Sequence, residues 1–176
     1  GIASAKPVSG NIIEALKKLE YRGYDSAGLS TIDNGKINEK KCSGRVGNLE
    51  KILFENPLKG NLGIGHVRWA THGVPNKINA HPHSSEVVSV VHNGIIENYD
   101  AIKKSLINKG HTFKSETDTE VLVHFIEEIK KQEQVSLFEA VRLALNEVVG
   151  AYAIVVVEKG TTDEFIAARK GSPLVI

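Results

Sequence analysis

The stretch SAGLSTIDNGKINEKKC, residues 26–42, decides the fold. Two runs that suit β-strands, Ser26–Asp33 and Lys36–Cys42, flank the dipeptide Asn34-Gly35. Asn-Gly is the strongest short signal for a two-residue hairpin turn, because both residues readily adopt positive φ. The sequence therefore predicts an antiparallel strand pair in this region.

Further strands are predicted toward the C-terminus. The run that ends at His92 is almost continuously apolar, which is typical of a strand buried on both faces. Gly160 separates two runs that form a second hairpin. The predicted strands outside the first hairpin are Leu62–Arg68, Val87–His92, Ala151–Glu158, Glu164–Lys170 and a short one at Leu174–Ile176.

Helices are predicted mainly in a separate part of the chain. Thr117-x-x-Glu120 and Ser136-x-x-Glu139 fit the capping box, a motif that opens helices. The other predicted helices are Asn11–Tyr21, Val46–Phe54 with Ser43 as cap, and Tyr99–Lys109 with Asn98 as cap. Paired strands with separate helices predict an α+β domain in which helices cover the sheets.

Composition excludes several classes of protein. The chain has 176 residues, 41% of them hydrophobic and 24% charged, as expected for one globular domain. A net charge of +1 argues against binding of nucleic acid or an anionic membrane. The single cysteine, Cys42, rules out an intrachain disulfide. Without a signal peptide or an apolar run of about 20 residues, a cytoplasmic location is expected.

Five of the seven histidines lie between His66 and His92, in a segment of which residues 71–85 are predicted to be an irregular loop. One interpretation is a metal site that combines His81 and His83 with His66, His72 or His92. The absence of cysteine and the presence of a single carboxylate in this segment weigh against it. For His83, His111 and His124, a place in a loop or the core is the preferred interpretation.

Arg68 ends a predicted strand and precedes Trp69, the only tryptophan. A guanidinium at a strand end suits bidentate capture of a carboxylate, and an indole can enclose a small polar ligand. A surface ion pair for Arg68 and a core position for Trp69 are equally compatible with the sequence.

Asn93-Gly94 leads into a helix, whereas an ordinary hairpin turn would lead into a returning strand. The Asn side-chain N–H and the Gly backbone N–H can together form an oxyanion hole. Asp118 lies in the first turn of a predicted helix, where the helix dipole favours a carboxylate. It could instead pair with a ligand ammonium.

Six sequence blocks, in this order and spacing, resemble one family along nearly the whole chain. They are Leu19–Gly28, Gly65–Gly73, Asn79–His83, Val91–Asn98, Ser115–Glu120 and Gly171–Ile176. The family is the N-terminal glutaminase domain of glutamine–fructose-6-phosphate aminotransferases, a class II glutamine amidotransferase. The resemblance implies an N-terminal nucleophile (Ntn) hydrolase fold, a four-layer αββα sandwich with two antiparallel sheets.

The resemblance also implies a role for individual residues. Arg68 would bind the α-carboxylate of glutamine and Asp118 its α-ammonium, while Asn93 and Gly94 would form the oxyanion hole. Arg22 would support the nucleophile and the oxyanion donors. The residues of the loop that closes over glutamine would be Trp69, Thr71, His72 and Gly73. No cofactor and no metal are implied.

The family's nucleophile is an N-terminal cysteine whose own α-amine is the general base. A Cys-Gly-Ile-Val-like start is expected a few residues ahead of Gly1, and the chain contains no methionine, so Gly1 is not a translation start. Cys42 lies in a predicted strand and is expected to be structural. The chain as written, residues 1–176, is thus expected to be a glutaminase domain truncated at both ends and inactive on its own.

The resemblance implies that the full protein hydrolyses the side-chain amide of L-glutamine. The ammonia would pass to an isomerase half, absent here, that converts fructose 6-phosphate to glucosamine 6-phosphate, and the full-length protein would be a homodimer. Two alternatives stay open at this point. One is a non-catalytic glutamine-binding module of the same fold, and the other is a metal-binding domain built on the histidine cluster.

Overall fold

A computed structural model of the chain describes residues 1–69 and 74–176. In that part of the chain, two antiparallel four-stranded sheets lie face to face, and α-helices cover the outer face of each sheet. The predicted four-layer αββα arrangement with two antiparallel sheets is confirmed.

Sheet A has the strand order β1-β4-β2-β3. Its strands are β1 (Ile2–Ala3), β2 (Ser26–Asp33), β3 (Lys36–Ser43) and β4 (Leu62–Arg68). The predicted hairpin is present, since Asp33 pairs with Lys36 and the turn residues Asn34 and Gly35 have φ values of 50° and 71°.

Sheet B has the strand order β5-β6-β7-β8. Its strands are β5 (His83–Ser84), β6 (Val88–Ile96), β7 (Gly150–Glu158) and β8 (Ile166–Lys170). The second predicted hairpin corresponds to β7 and β8. Strand β6 is longer than predicted, because Asn93 and Gly94 continue the pairing with β7 opposite Ala153 and Tyr152.

The helices are α1 (Ser9–Leu19), α2 (Val46–Glu55), α3 (Tyr99–Asn108), α4 (Asp118–Glu133) and α5 (Leu137–Glu147). Helices α1 and α2 bury an apolar face on sheet A, against Leu29 and Cys42 among others. Helices α4 and α5 do the same on sheet B, where Ile126 and Val141 contact the β6 and β7 side chains. None of the helices in the described part of the chain is long and apolar enough to cross a membrane.

Between the sheets, a small apolar cluster that includes Ile64, Val91 and Val157 closes one end of the sandwich. Ser30 and Ser89 meet across the same layer, with 2.8 Å between their Oγ atoms. These residues do not reach the opposite end of the sandwich, and a cavity separates the ends of β4 and β6 there.

Four local predictions are wrong. The predicted irregular loop at residues 71–85 contains strand β5, since His83 and Ser84 pair with Val90 and Ser89. Leu174–Ile176 is not a strand in the structure. Ser43 does not cap α2, since Arg45 is the cap residue and the free amide of Val46 donates instead to Glu20 Oε1 at 2.7 Å. Asn98 precedes α3, but its side chain bonds to the chain ahead of β7 and not to the helix. In the two cap predictions, a tertiary partner replaced the local one.

Candidate functional site

A cavity of about 690 Å³ opens between the two sheets at the ends of β4 and β6. Its wall combines strand ends, the first turn of α4 and the 3₁₀ turn at Glu20–Arg22. Of the residues that the resemblance assigns to the site, those that line it are Arg22, Arg68, Trp69, Asn93, Gly94 and Asp118. The tertiary structure thus brings together residues from four separate sequence blocks.

Arg68 is the last residue of β4 and is 4% exposed. Its guanidinium Nη1 lies 3.5 Å from Asp25 Oδ1, just ahead of the neighbouring strand β2. A buried cation with one carboxylate neighbour in a cavity wall can bind a second carboxylate without being left uncompensated when the ligand departs. The alternative of a surface ion pair for Arg68 is wrong, because its pair with Asp25 is buried, and this buried pair is compatible with the expected ligand contact.

Asp118 is the first residue of α4 and is 6% exposed. Its Oδ2 accepts a hydrogen bond of 2.9 Å from the backbone amide of Ile96, two residues after Gly94. Its Oδ1 lies 3.4 Å from the Thr119 hydroxyl, which donates to it, and 3.8 Å from His92 Nδ1. The carboxylate is therefore held rigidly against the end of β6, at the same wall as Asn93 and Gly94.

Asn93 and Gly94 lie within β6, at the edge of the cavity. The Asn93 side-chain oxygen accepts from His66 Nε2 at 2.8 Å, so its amide N–H groups remain available as donors. Gly94 has a φ of 129°, and a Cβ there would collide with the Ala151 carbonyl on β7. Glycine is thus required by the pairing with β7 as well as by close approach of a ligand.

Trp69 follows Arg68 directly, and because 71% of it is exposed, the alternative of a core position for it is wrong. The indole packs over Gly23, whose φ is 120° and where a Cβ would overlap the ring. Arg22 lies beside this contact and is exposed at the cavity mouth. The predicted loop residues Thr71, His72 and Gly73 lie outside the described residues.

Four histidines lie at or near the cavity in the neutral form, and three of them, His66, His81 and His92, line its wall. Burial lowers the pKa of His66 to about 4 and that of His83 to about 3. Burial also lowers the pKa of His81 far below its usual value. For His92 burial lowers the pKa and the neighbouring Asp118 carboxylate opposes the shift. These rings therefore act as fixed hydrogen-bonding groups near neutral pH.

The histidine rings bond to threonine and asparagine side chains and not to a common metal position. His81 Nε2 and His92 Nδ1 both contact the Thr119 hydroxyl, at 2.8 and 3.0 Å, and His66 contacts Asn93. Among residues 1–69 and 74–176, no three histidine, cysteine or carboxylate side chains converge as metal ligands. His72, one member of the alternative metal site, lies outside the described residues.

Cys42 lies on β3, is 7% exposed and faces the core beneath α2. Burial raises the pKa of its thiol, which disfavours the reactive thiolate. It lies on the opposite face of sheet A from the cavity, so it cannot take part in chemistry there.

Sequence reasoning missed three residues that the structure connects to the site. They are Asp25 beside Arg68, Gly23 beneath Trp69, and Thr119 between two buried histidines. Each belongs to a block that resembles the family, but a neighbouring residue in that block was assigned the functional role. These three residues reach the site only through the pairing of β2 with β4 and the packing of α4 on β6.

Comparison with known proteins places this geometry in a family. The model of the glutamine amidotransferase domain matches residues 66–174, which is more than half of the chain. This range includes Arg68, Asn93, Gly94 and Asp118.

Two curated relatives are both glutamine–fructose-6-phosphate aminotransferases (isomerizing). The chain is 55% identical to that of Bacteroides thetaiotaomicron over 94% of its own length and 27% of the relative. It is 50% identical to that of Clostridium acetobutylicum over its whole length and 29% of the relative. The chain therefore spans less than a third of the length of the curated relatives it matches.

Two solved structures have the same fold. Glutamine phosphoribosylpyrophosphate amidotransferase from B. subtilis, in complex with ADP and GMP, has a TM-score of 0.80 at 28% identity, over 96% of this chain and 36% of that one. A structure described as the allosteric regulatory enzyme of purine biosynthesis has a TM-score of 0.76 at 29% identity, over 89% and 34%. The Ntn amidotransferase fold is thereby confirmed, and the chain belongs to the glutamine amidotransferase domain family.

Proposed function

We propose that this chain is the glutaminase part of an enzyme that hydrolyses the side-chain amide of L-glutamine. The ammonia released would serve to convert fructose 6-phosphate to glucosamine 6-phosphate in a further domain of the full protein. The observation that carries the proposal is the cavity that holds a buried cation, a buried carboxylate and a candidate oxyanion hole together. The identity of about half to the two curated aminotransferases supports the choice of acceptor.

Glutamine is a zwitterion, so its backbone end needs one charge of each sign. In this proposal Arg68 binds the α-carboxylate through its guanidinium fork, and Asp25 limits the cost of burying that cation between turnovers. Asp118 binds the α-ammonium through Oδ1, while Oδ2 stays on the Ile96 amide. The two ends are fixed on β4 and α4, which leaves the amide to extend toward β6.

At the amide, a thiolate sulfur would attack the side-chain carbon, and the carbonyl electrons would move to its oxygen. The Asn93 amide and the Gly94 backbone N–H would stabilise that oxyanion. Collapse of the intermediate breaks the C–N bond, and the nitrogen leaves as ammonia after it takes a proton from the α-ammonium formed by the nucleophile's own amine. Water then hydrolyses the thioester to glutamate.

The register of β1 supports a position at the cavity wall for an N-terminal nucleophile. Ile2 pairs with Gly63 and Ala3 with Leu62. The same antiparallel register, continued along β4, brings the fourth residue ahead of Gly1 opposite Arg68. A Cys-Gly-Ile-Val start would therefore put the cysteine at the cavity wall. Trp69, Thr71, His72 and Gly73 would cover the bound substrate, and Arg22 would support the oxyanion donors.

The test is glutamate release from L-glutamine by three forms of the chain: as written, preceded by Cys-Gly-Ile-Val with the cysteine N-terminal, and preceded by Ser-Gly-Ile-Val. Turnover is expected from the cysteine form, with at least a 100-fold loss in the other two. Equal activity in all three forms would contradict the proposed nucleophile. Glutamine binding without turnover in the cysteine form would favour the non-catalytic module instead.

The second half of the proposal needs the full-length protein. Glucosamine 6-phosphate should form from glutamine and fructose 6-phosphate, and a homodimer should appear on light scattering. If the full protein hydrolyses glutamine but transfers no nitrogen to fructose 6-phosphate, the glutaminase assignment stands and the proposed acceptor does not.

A further inference from the structure

Thr119 lies at the meeting point of three polar groups beneath the cavity. It is fully buried in the first turn of α4, directly after Asp118. Its hydroxyl contacts His81 Nε2 at 2.8 Å, His92 Nδ1 at 3.0 Å and Asp118 Oδ1 at 3.4 Å. The roles proposed above for other residues do not explain why both histidines contact this hydroxyl.

The hydrogen-bonding capacity of a hydroxyl restricts the arrangement. A threonine hydroxyl donates one hydrogen bond and accepts two, and an ionised carboxylate only accepts. All three contacts are satisfied when Thr119 donates to Asp118 and both rings donate to Thr119. His81 Nδ1 and His92 Nε2 then carry lone pairs, and both are among the buried ring atoms without a hydrogen-bond partner in the described part of the chain, together with His66 Nδ1.

With this tautomer assignment, the N–H groups of His81 and His92 both have the Thr119 oxygen as acceptor. With the other tautomer of either ring, Thr119 would have to donate to that ring and not to Asp118, and the ring N–H at the far nitrogen would have no acceptor. Burial keeps both rings neutral, so each has one N–H to give. Two donors to one hydroxyl also polarise it and strengthen its own donation to the carboxylate.

We propose that Thr119 is a positioning residue for recognition of the substrate α-amino group. Through its hydroxyl, His81 and His92 hold Asp118 Oδ1 in the orientation that accepts the ammonium. Asp118 Oδ2 is fixed independently by the Ile96 amide, so loss of the Thr119 hydroxyl frees one oxygen and leaves the other in place. This inference rests on the proposed function, because it assumes that Asp118 binds an α-ammonium.

The consequence is selective. Removal of the hydroxyl should weaken ligands that carry an α-ammonium and spare those that lack it. It should raise KM for glutamine on the order of tenfold with little change in kcat, because the ammonium contact is the same in the ground state and the transition state. A residue that only stabilised the fold would weaken all ligands alike.

The experiment measures binding of L-glutamate and of glutarate, which is glutamate without its amino group, by calorimetry. The protein is the chain preceded by Cys-Gly-Ile-Val, compared with its Thr119→Val and Thr119→Ser variants. For Thr119→Val the affinity for glutamate is expected to fall about tenfold and that for glutarate to stay unchanged. Thr119→Ser keeps the hydroxyl and should behave as the parent chain does.

Equal losses for both ligands, or no loss for either, would overturn the positioning role. If Thr119→Val does not fold, Thr119→Ala and Thr119→Ser decide the same question, because they differ by the hydroxyl alone. If the parent chain binds glutamate but Thr119→Val affects glutamate and glutarate alike, only this inference fails. If the parent chain binds neither glutamate nor glutamine, the proposed function fails as well.

Discussion

Helices α4 and α5 begin with the same sequence motif but in different surroundings. Thr117 and Ser136 each accept a hydrogen bond of 3.3 Å from the amide three residues later, from Glu120 and Glu139 respectively. The start of α4 is buried against the site, and that of α5 lies at the surface. The comparison shows that a motif predicts the local bond, while its surroundings decide whether the residues also serve a site.

In neither helix does the glutamate return to the cap residue, as the full capping box requires. Glu120 turns to the backbone amides of Lys114 and Ser115, at 2.9 and 2.6 Å. Glu139 pairs with Arg142 on its own helix, at 2.6 and 2.8 Å. Glu120 of α4 thus anchors the preceding loop, whereas Glu139 of α5 stays in an exposed ion pair.

The largest expected difference between the two helix starts is catalytic. Asp118→Asn removes the charge that would bind the substrate ammonium, and kcat/KM for glutamine should fall on the order of 100-fold, mostly through KM. Glu139→Gln removes a carboxylate from the first turn of α5 and serves as the matched control, with unchanged kinetics. Steady-state glutaminase assays on the cysteine-bearing chain measure both. Equal effects would show that Asp118 has no special role.

A stability difference comes next. Thr117 Oγ1 also contacts His83 Nε2 and Ser115 Oγ, each at 2.9 Å, whereas Ser136 makes its cap bond at the surface. Thr117→Ala should lower the free energy of unfolding by about 2–3 kcal/mol, and Ser136→Ala by about 1 kcal/mol.

Urea unfolding of both variants, with Thr117→Ser as the conservative control, measures this difference. The serine variant should retain most of the stability because it keeps the oxygen. If the two alanine variants lose the same amount, the buried contacts of Thr117 contribute nothing beyond an ordinary cap.

A third expected effect appears only at acid pH. Burial alone would raise the pKa of Glu120, but His124 and the Ser115 and Lys114 donors outweigh it and lower the pKa to about 2. Because the folded-state pKa lies below the unfolded value of 4.5, this carboxylate stabilises the fold above pH 4.5. That contribution is lost as the pH falls from 4.5 to about 2.

Glu120→Gln should therefore flatten the unfolding free energy in that pH window. Glu139→Gln should leave the profile almost unchanged, because solvent screens its surface pair with Arg142. Urea titrations at a series of pH values from 2 to 6 compare the two variants. An identical slope in parent and Glu120→Gln would show that other carboxylates cause the acid sensitivity.

Local structure was predictable wherever the determinant was local. The hairpin at Asn34-Gly35, the strand Leu62–Arg68 and the caps at Thr117 and Ser136 follow from residues close in sequence. The extension of β6 through Gly94 could not be predicted, because it depends on pairing with β7 more than fifty residues away. The cap of α2 by Glu20 was missed for the same reason.

The candidate site divides in the same way. The sequence by itself determined which side chains have suitable chemistry: Arg68, Asn93, Gly94 and Asp118 stood out by type, spacing and resemblance. The tertiary structure alone decided that Asp25 would lie beside Arg68, that His66 would bond to Asn93, and that Thr119 would receive two buried histidines. These contacts join strands and helices far apart in the chain, and their strength comes from burial, which no local pattern of residues specifies.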